Sequence, residues 1–122
     1  MTTGLENLEV YKMAETLELK VFHLTKSFPP EEKYRSVDQL KRSSSSVSNN
    51  IAESYYKRSV KNKIRILQDI VKSEAEETRR NLNVCLKKGF HDDEDVLKEY
   101  TEFMKALSGY IRFLNQKLIT NN

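Results

Sequence analysis

The sequence is short of nearly everything that builds turns, cross-links or metal cages: among 122 residues there are three Gly, two Pro, one Cys, two His and no Trp. One cysteine excludes an internal disulfide, and one Cys with two distant His cannot furnish a structural zinc site. The glycines Gly4, Gly89 and Gly109 are isolated, so no Gly-rich loop leading into Lys-Ser/Thr exists to cradle a nucleotide phosphate. No apolar run approaches the roughly 20 residues needed to span a bilayer. The start MTTGLENLEV lacks a basic stretch leading into an apolar one. A cytoplasmic protein with no membrane contact, no metal and no cofactor is the expectation. The scarcity of Gly and Pro also points away from hairpins and toward long helices.

Hydrophobic periodicity supplies those helices. Val10, Ala14, Leu17, Val21, Leu24 and Phe28 recur in steps of four and three, the seam of a bundled helix, until Phe28-Pro29-Pro30 stops it. A second seam, Val37, Leu40, Ser44, Val47 and Ile51, crosses a run of Ser and Asn that composition alone would assign to a linker. The register of Leu40, Val47 and Ile51 favours helix. The third seam is Ile64, Leu67, Val71, Ala75, Thr78, Leu82 and Cys85, with Gly89 as the expected C-cap. After Asp92, a plausible N-cap, the fourth is Tyr100, Met104, Leu107, Ile111, Leu114 and Leu118. Residues 1–122 are thus expected to form one all-α domain, an antiparallel up-down-up-down four-helix bundle with helices over roughly 6–27, 33–56, 60–88 and 93–119.

Net charge is only +3, but it is unevenly placed. Residues 41–65 carry Lys41, Arg42, Lys57, Arg58, Lys61, Lys63 and Arg65 against the single acid Glu53, a net of +6, while both flanks are slightly acidic. The acidic run Asp92 to Asp95 reads as the negative first turn of a helix, favoured by the macrodipole.

Surplus residues lie off the seams. Tyr11, Leu19 and Phe22 on the first helix, and a stripe of Gln39, Ser43, Ser46, Asn50 and Glu53 on the second, are either scattered surface residues or a subunit interface. Tyr11, Leu19, Phe22, Ser43, Ser46 and Asn50 are the interface candidates. Catalysis is not expected. Di-iron bundles need Glu-x-x-His, whereas His23 follows Lys20 and His91 follows Lys88 at that spacing. Cys85 sits on a core seam, as a small hydrophobe, with His91 in a turn. Asn50, Glu53 and Glu77 are read as structural polar groups, the carboxylates paired with Arg42 or Arg79 rather than acting as an acid/base pair.

Gln39-Leu40-Lys41-Arg42 followed by Ser48 to Glu53 (Ser-x-Asn-Ile-Ala-Glu) resembles the 23S rRNA intervening-sequence proteins, a bacterial family of four-helix bundles. Other family landmarks are Leu8 to Ala14, Leu24 to Glu32, Tyr34, Glu74 to Arg79, and the Gly89-Phe90 pair, so the resemblance covers nearly the whole chain. Ser54 stands where the family often has Gly, and Ser43 and Ser44 where it has other small residues. The resemblance implies an antiparallel four-helix bundle and a homo-oligomer, a ring-like pentamer, with most members lacking an assigned biochemical role. Accessory variability determinants of diversity-generating retroelements, similar in fold, form basic pentamers that bind nucleic acid and a reverse transcriptase.

The expected function is that of a non-enzymatic oligomeric nucleic-acid-binding protein, for RNA before DNA. Lys41, Arg42, Lys57, Arg58, Lys61, Lys63 and Arg65 would neutralise phosphates, and Tyr55 and Tyr56 would stack on bases at the corner between helices two and three. Repetition around a ring would add avidity. The alternative is a protein-interaction scaffold or accessory subunit that makes no nucleic-acid contact.

Overall fold

The structure is a computed structural model in which residues 4–120 are described. All regular structure among them is helical, with no strand. Helix α1 is Glu9–Leu24, between short 3-10 turns at Leu5–Asn7 and Thr25–Ser27. A further 3-10 turn, Pro30–Glu32, precedes α2, Ser36–Tyr55. The third rod is α3, Val60–Ile66, a π-helical turn at Leu67–Val71, and α4, Lys72–Lys87. Helix α5, Glu94–Thr120, is the longest.

Each rod meets two others: α1 packs on α2 and α5, and α4 on α2 and α5. The seams are what they bury. Every residue of the third seam is buried, as are Val10, Ala14, Leu17, Val21 and Phe28 of the first and Leu40, Val47 and Ile51 of the second. A fully buried Val or Leu contributes about 1.5–3 kcal/mol, so this cluster is the main stabilising term. Phe103 and Val96 are as deeply buried as any seam residue, which widens the apolar face of α5.

The serine run is helix throughout. Ser43, Ser44, Ser48 and Ser54 are all buried, and their hydroxyls donate to carbonyls three residues back, those of Leu40, Lys41, Ser45 and Ile51. Each polar group thereby has a partner within its own helix, Ser48 also reaches the Glu18 carboxylate of α1, and the small side chain leaves room for a neighbouring rod. Ser43 is consequently part of this chain's own interior, where its hydroxyl meets that of Thr78 on α4. It is not available to a subunit interface.

The helix ends have identifiable stops. Gly89 takes φ 80°, the left-handed conformation of a C-cap, and the Phe90 amide donates to the Cys85 carbonyl. At the start of α5 the cap is Asp93 and not Asp92: its Oδ1 accepts the Val96 amide at 3.1 Å. Between them His91 is buried, stacked on Phe28, with Nε2 2.8 Å from the Leu82 carbonyl and Nδ1 accepting the Asp93 amide at 3.0 Å.

Candidate nucleic-acid interface

The corner between α2 and α3 is built by two capping interactions. Ser59 accepts the Asn62 amide at 3.2 Å and starts α3. The Lys63 ammonium donates to the Tyr55 carbonyl at 2.6 Å, satisfying a carbonyl that the last turn of α2 would leave unpaired. The same ammonium lies 5.3 Å from the centre of the Tyr55 ring. Burial and, secondarily, the charge of Lys117 push the Lys63 amine below the usual lysine range. Lys63 thus serves the corner's own structure, while Arg58, Lys61 and Arg65 are exposed. Lys57 pairs with Glu53 across one helical turn at 3.7 Å, in solvent, where such a pair contributes little.

Tyr55 and Tyr56 meet edge to face, with centroids 5.3 Å apart. Tyr56 is 66% exposed; Tyr55 is half-buried. A flat, exposed phenol beside mobile cations suits stacking on an unpaired base.

Helix α5 adds residues that sequence position does not associate with this corner. The charge of Lys117 reaches Lys63, and the Tyr110 hydroxyl is pushed above the usual phenol range by burial and then by Tyr55. Phe113, 53% exposed, stacks on Tyr110 at 6.5 Å and carries Lys117 over its other side at 5.3 Å. In the sequence, aromatics at 110 and 113 with a lysine at 117 follow the helical i, i+3, i+7 spacing, which was the available signal.

Lys41 and Arg42 lie elsewhere. Sixteen residues of helix separate Lys41 from Lys57, roughly 24 Å at 1.5 Å per residue. Lys41 sits 5.0 Å over the Phe22 ring, with Lys26 at 4.7 Å on that ring as well. Arg42 pairs with Asp38 at 2.7 Å. The contiguous basic block of the sequence is therefore two separate patches.

The pairings expected of the carboxylates also differ. Glu53 is exposed and pairs with Lys57, not with Arg42 or Arg79, because it lies on the outer side of α2. Arg79 donates from Nε to the Thr101 hydroxyl at 2.8 Å, joining α4 to α5. Glu77 is exposed and lines an open polar groove of about 640 Å³ with Glu74, Gln39, Ser46 and Asn50. Burial, and then Glu77, raise the Glu74 carboxyl above the usual range. Asn50 donates to the Ser46 carbonyl at 2.8 Å, so it is held within its own helix.

Of the remaining interface candidates, Leu19 and Phe22 are exposed, whereas Tyr11 is half-buried against the core and donates to Glu15 at 3.2 Å. The Cys85 thiol is buried and raised by that burial. Among the described residues, no three metal-ligating side chains come together, and no helix is long and apolar enough to cross a membrane.

The family model described as 23S rRNA-intervening sequence protein matches residues 6–109. A crystal structure from Bacteroides thetaiotaomicron, described as a protein with unknown function from the S23 ribosomal protein family, is similar at 25% identity and a TM-score of 0.75. The similarity covers 84% of this chain and 97% of that one. Among curated proteins there is no match.

Proposed function

The chain belongs to the 23S rRNA-intervening sequence protein family, and we propose that it is a non-enzymatic, self-associating protein that binds nucleic acid, RNA in the first place, at the aromatic and basic corner between α2 and α3. The observation that carries this reading is that exposed Tyr56, Arg58 and Lys61 adjoin along the chain at a corner where the charge of Lys117, on α5 beside Phe113, reaches Lys63. Cations neutralise phosphates without regard to sequence, and aromatic faces accept any base.

In this reading the rods run up-down-up-down. The short connections support it, as do the meeting of Gly4, before α1, with Tyr55, at the end of α2, and of Lys20, late in α1, with Glu99, early in α5. Self-association uses the exposed Leu19 and Phe22 of α1. Five copies in a ring, the arrangement that the family resemblance implies, would bring five corners into one field and multiply weak binding by avidity. The lack of an enzymatic role is supported by the buried thiol of Cys85 and by His91, whose two ring nitrogens are both engaged with backbone groups.

The test is fluorescence anisotropy with a short structured RNA across salt. Binding should weaken steeply from about 50 to 200 mM salt and fall at least tenfold when Arg58 and Lys61 are both changed to Glu, with Tyr56→Ala costing about 1–3 kcal/mol per stacked base. Salt-independent binding, or no change in the charge-reversed protein, defeats the mechanism. Partners that persist in a pull-down after nuclease, with no RNA bound, would favour the scaffold reading.

A further inference from the structure

A second basic surface runs away from the corner, between the third rod and α5. Lys61 and Arg65, four residues apart, share one side of α3, and Gln68 and Lys72, within and just past the π-helical turn, face α5. Gln68 and Lys72 form one wall of a narrow cleft of about 200 Å³, and Ser108, Arg112 and Asn115 of α5 form the other, with Ile111 at its apolar side. The rod's wall includes the π-helical turn Leu67–Val71, a conformation that recurs at functional sites.

The chemistry of this cleft is one-sided. Lys72 and Arg112 are exposed, and neither takes part in an ion pair among the described residues. Gln68, Ser108 and Asn115 add amide and hydroxyl donors between them. Asp69 lies beside Gln68, and Glu76, one turn past Lys72, ends the basic stretch toward the middle of α4. Two cations lining one cleft with neutral donors between suit an anionic oxygen better than an apolar partner.

We propose that this cleft is a phosphate-backbone track that leads a single nucleic-acid strand from the aromatic corner along the groove between α3 and α5, with Lys72 and Arg112 gripping one phosphate from both sides. The inference rests on the RNA-binding reading of the corner and extends it by naming the strand's path. From Lys61 to Lys72 the rod is roughly 16 Å long, a length that a few nucleotides of one strand would cover. A cleft of about 200 Å³ suits one phosphate group, and the unpaired bases that Tyr56 would stack on make the ligand a single strand.

Two experiments test it. First, the double variant Lys72→Gln/Arg112→Gln should bind a single-stranded oligouridylate at least tenfold more weakly than the unaltered protein. Its log-log salt slope should be shallower by about 0.7, the value for one phosphate contact on a single strand. Both residues are exposed, so circular dichroism should show an unchanged fold, and Lys12→Gln, on α1, should bind as the unaltered protein does. If the double variant keeps full affinity and slope while the corner variants lose them, the track is overturned and the corner stands. Second, inorganic tripolyphosphate should shift the amide resonances of Gln68, Lys72, Ser108, Arg112 and Asn115. Absence of those shifts overturns the cleft as a phosphate site whatever RNA does at the corner.

Discussion

The hydroxyls of Ser43 on α2 and Thr78 on α4 share a buried hydrogen bond of 2.7 Å, and Thr78 also lies 2.7 Å from the Glu74 carbonyl of its own helix. Thr78 is the donor in both, so its one proton is shared between the Ser43 hydroxyl and the Glu74 carbonyl, while Ser43 gives its own to the Leu40 carbonyl. Replacing Thr78 by Val preserves shape but removes the donor from both acceptors, at about 1–2 kcal/mol. Ser43→Ala should cost somewhat less, because Thr78 keeps the Glu74 carbonyl. Urea denaturation checks both. Sedimentation should show no change of oligomeric state for Ser43→Ala, since the hydroxyl faces this chain's own interior.

Gly4 lies against the Tyr55 ring so closely that a Cβ on it would stand 1.9 Å from the phenol oxygen and 3.0 Å from Cζ. Gly4→Ala should therefore cost about 1–2 kcal/mol, as overpacking does. Tyr55→Phe removes the nearer atom. A double-mutant cycle should show the two substitutions together costing less than their sum, and additivity would mean that the ring moves aside freely.

His91 fills two hydrogen-bonding roles at once, with a donor to the Leu82 carbonyl at Nε2 and an acceptor for the Asp93 amide at Nδ1. That arrangement requires the neutral Nε2–H tautomer, which nitrogen chemical shifts would report directly. His91→Ala removes both bonds and the stacking on Phe28, for an expected loss of about 2–3 kcal/mol in denaturant unfolding.

Glu74 gives a pH-dependent prediction. Burial first, and Glu77 second, raise its carboxyl above the ordinary range, so the folded state disfavours the charge that neutral pH imposes. The stability linked to this group is complete below the ordinary carboxylate range, and it is lost as pH rises through the raised value. Glu74→Gln should accordingly be more stable than the unaltered protein at pH 7, with the advantage gone near pH 4. Thermal unfolding at the two pH values measures it, and an unchanged difference would be contrary to the linkage.

The seams were legible because period alone decides them. Ile64 to Cys85 can face one way only in a helix, and all seven residues of that seam are buried. The serine run was read as helix for the same reason, and Ser44, placed inward by that seam, is buried, but the serines beside the seam were not sorted, since Ser43 and Ser46 belong to one stripe and only Ser43 is fully covered. That difference is set by how closely α4 approaches, which no pattern in α2 records. The basic block was misread as one patch because sequence proximity hides the length of a helix: Lys41 and Lys57 flank a straight rod. Lys117 and Phe113 were missed for the converse reason, as residues distant in sequence that the packing of α5 delivers to the corner.

The π-helical turn at Leu67–Val71 has an angular consequence. A π turn within a rod accommodates one residue beyond the α-helical count, and each residue of an α-helix advances the rotation by about 100°. The π turn absorbs that residue by winding less per residue, so the same chain wound as a regular α-helix throughout, with α4 seated on α2 and α5, would have α3 turned about its own axis by roughly that angle. Lys61 and Arg65 would turn with it, and Ile64 would leave the core. The compass bearing of every basic side chain on α3 is thus held by the slack winding of one turn in the middle of the third rod.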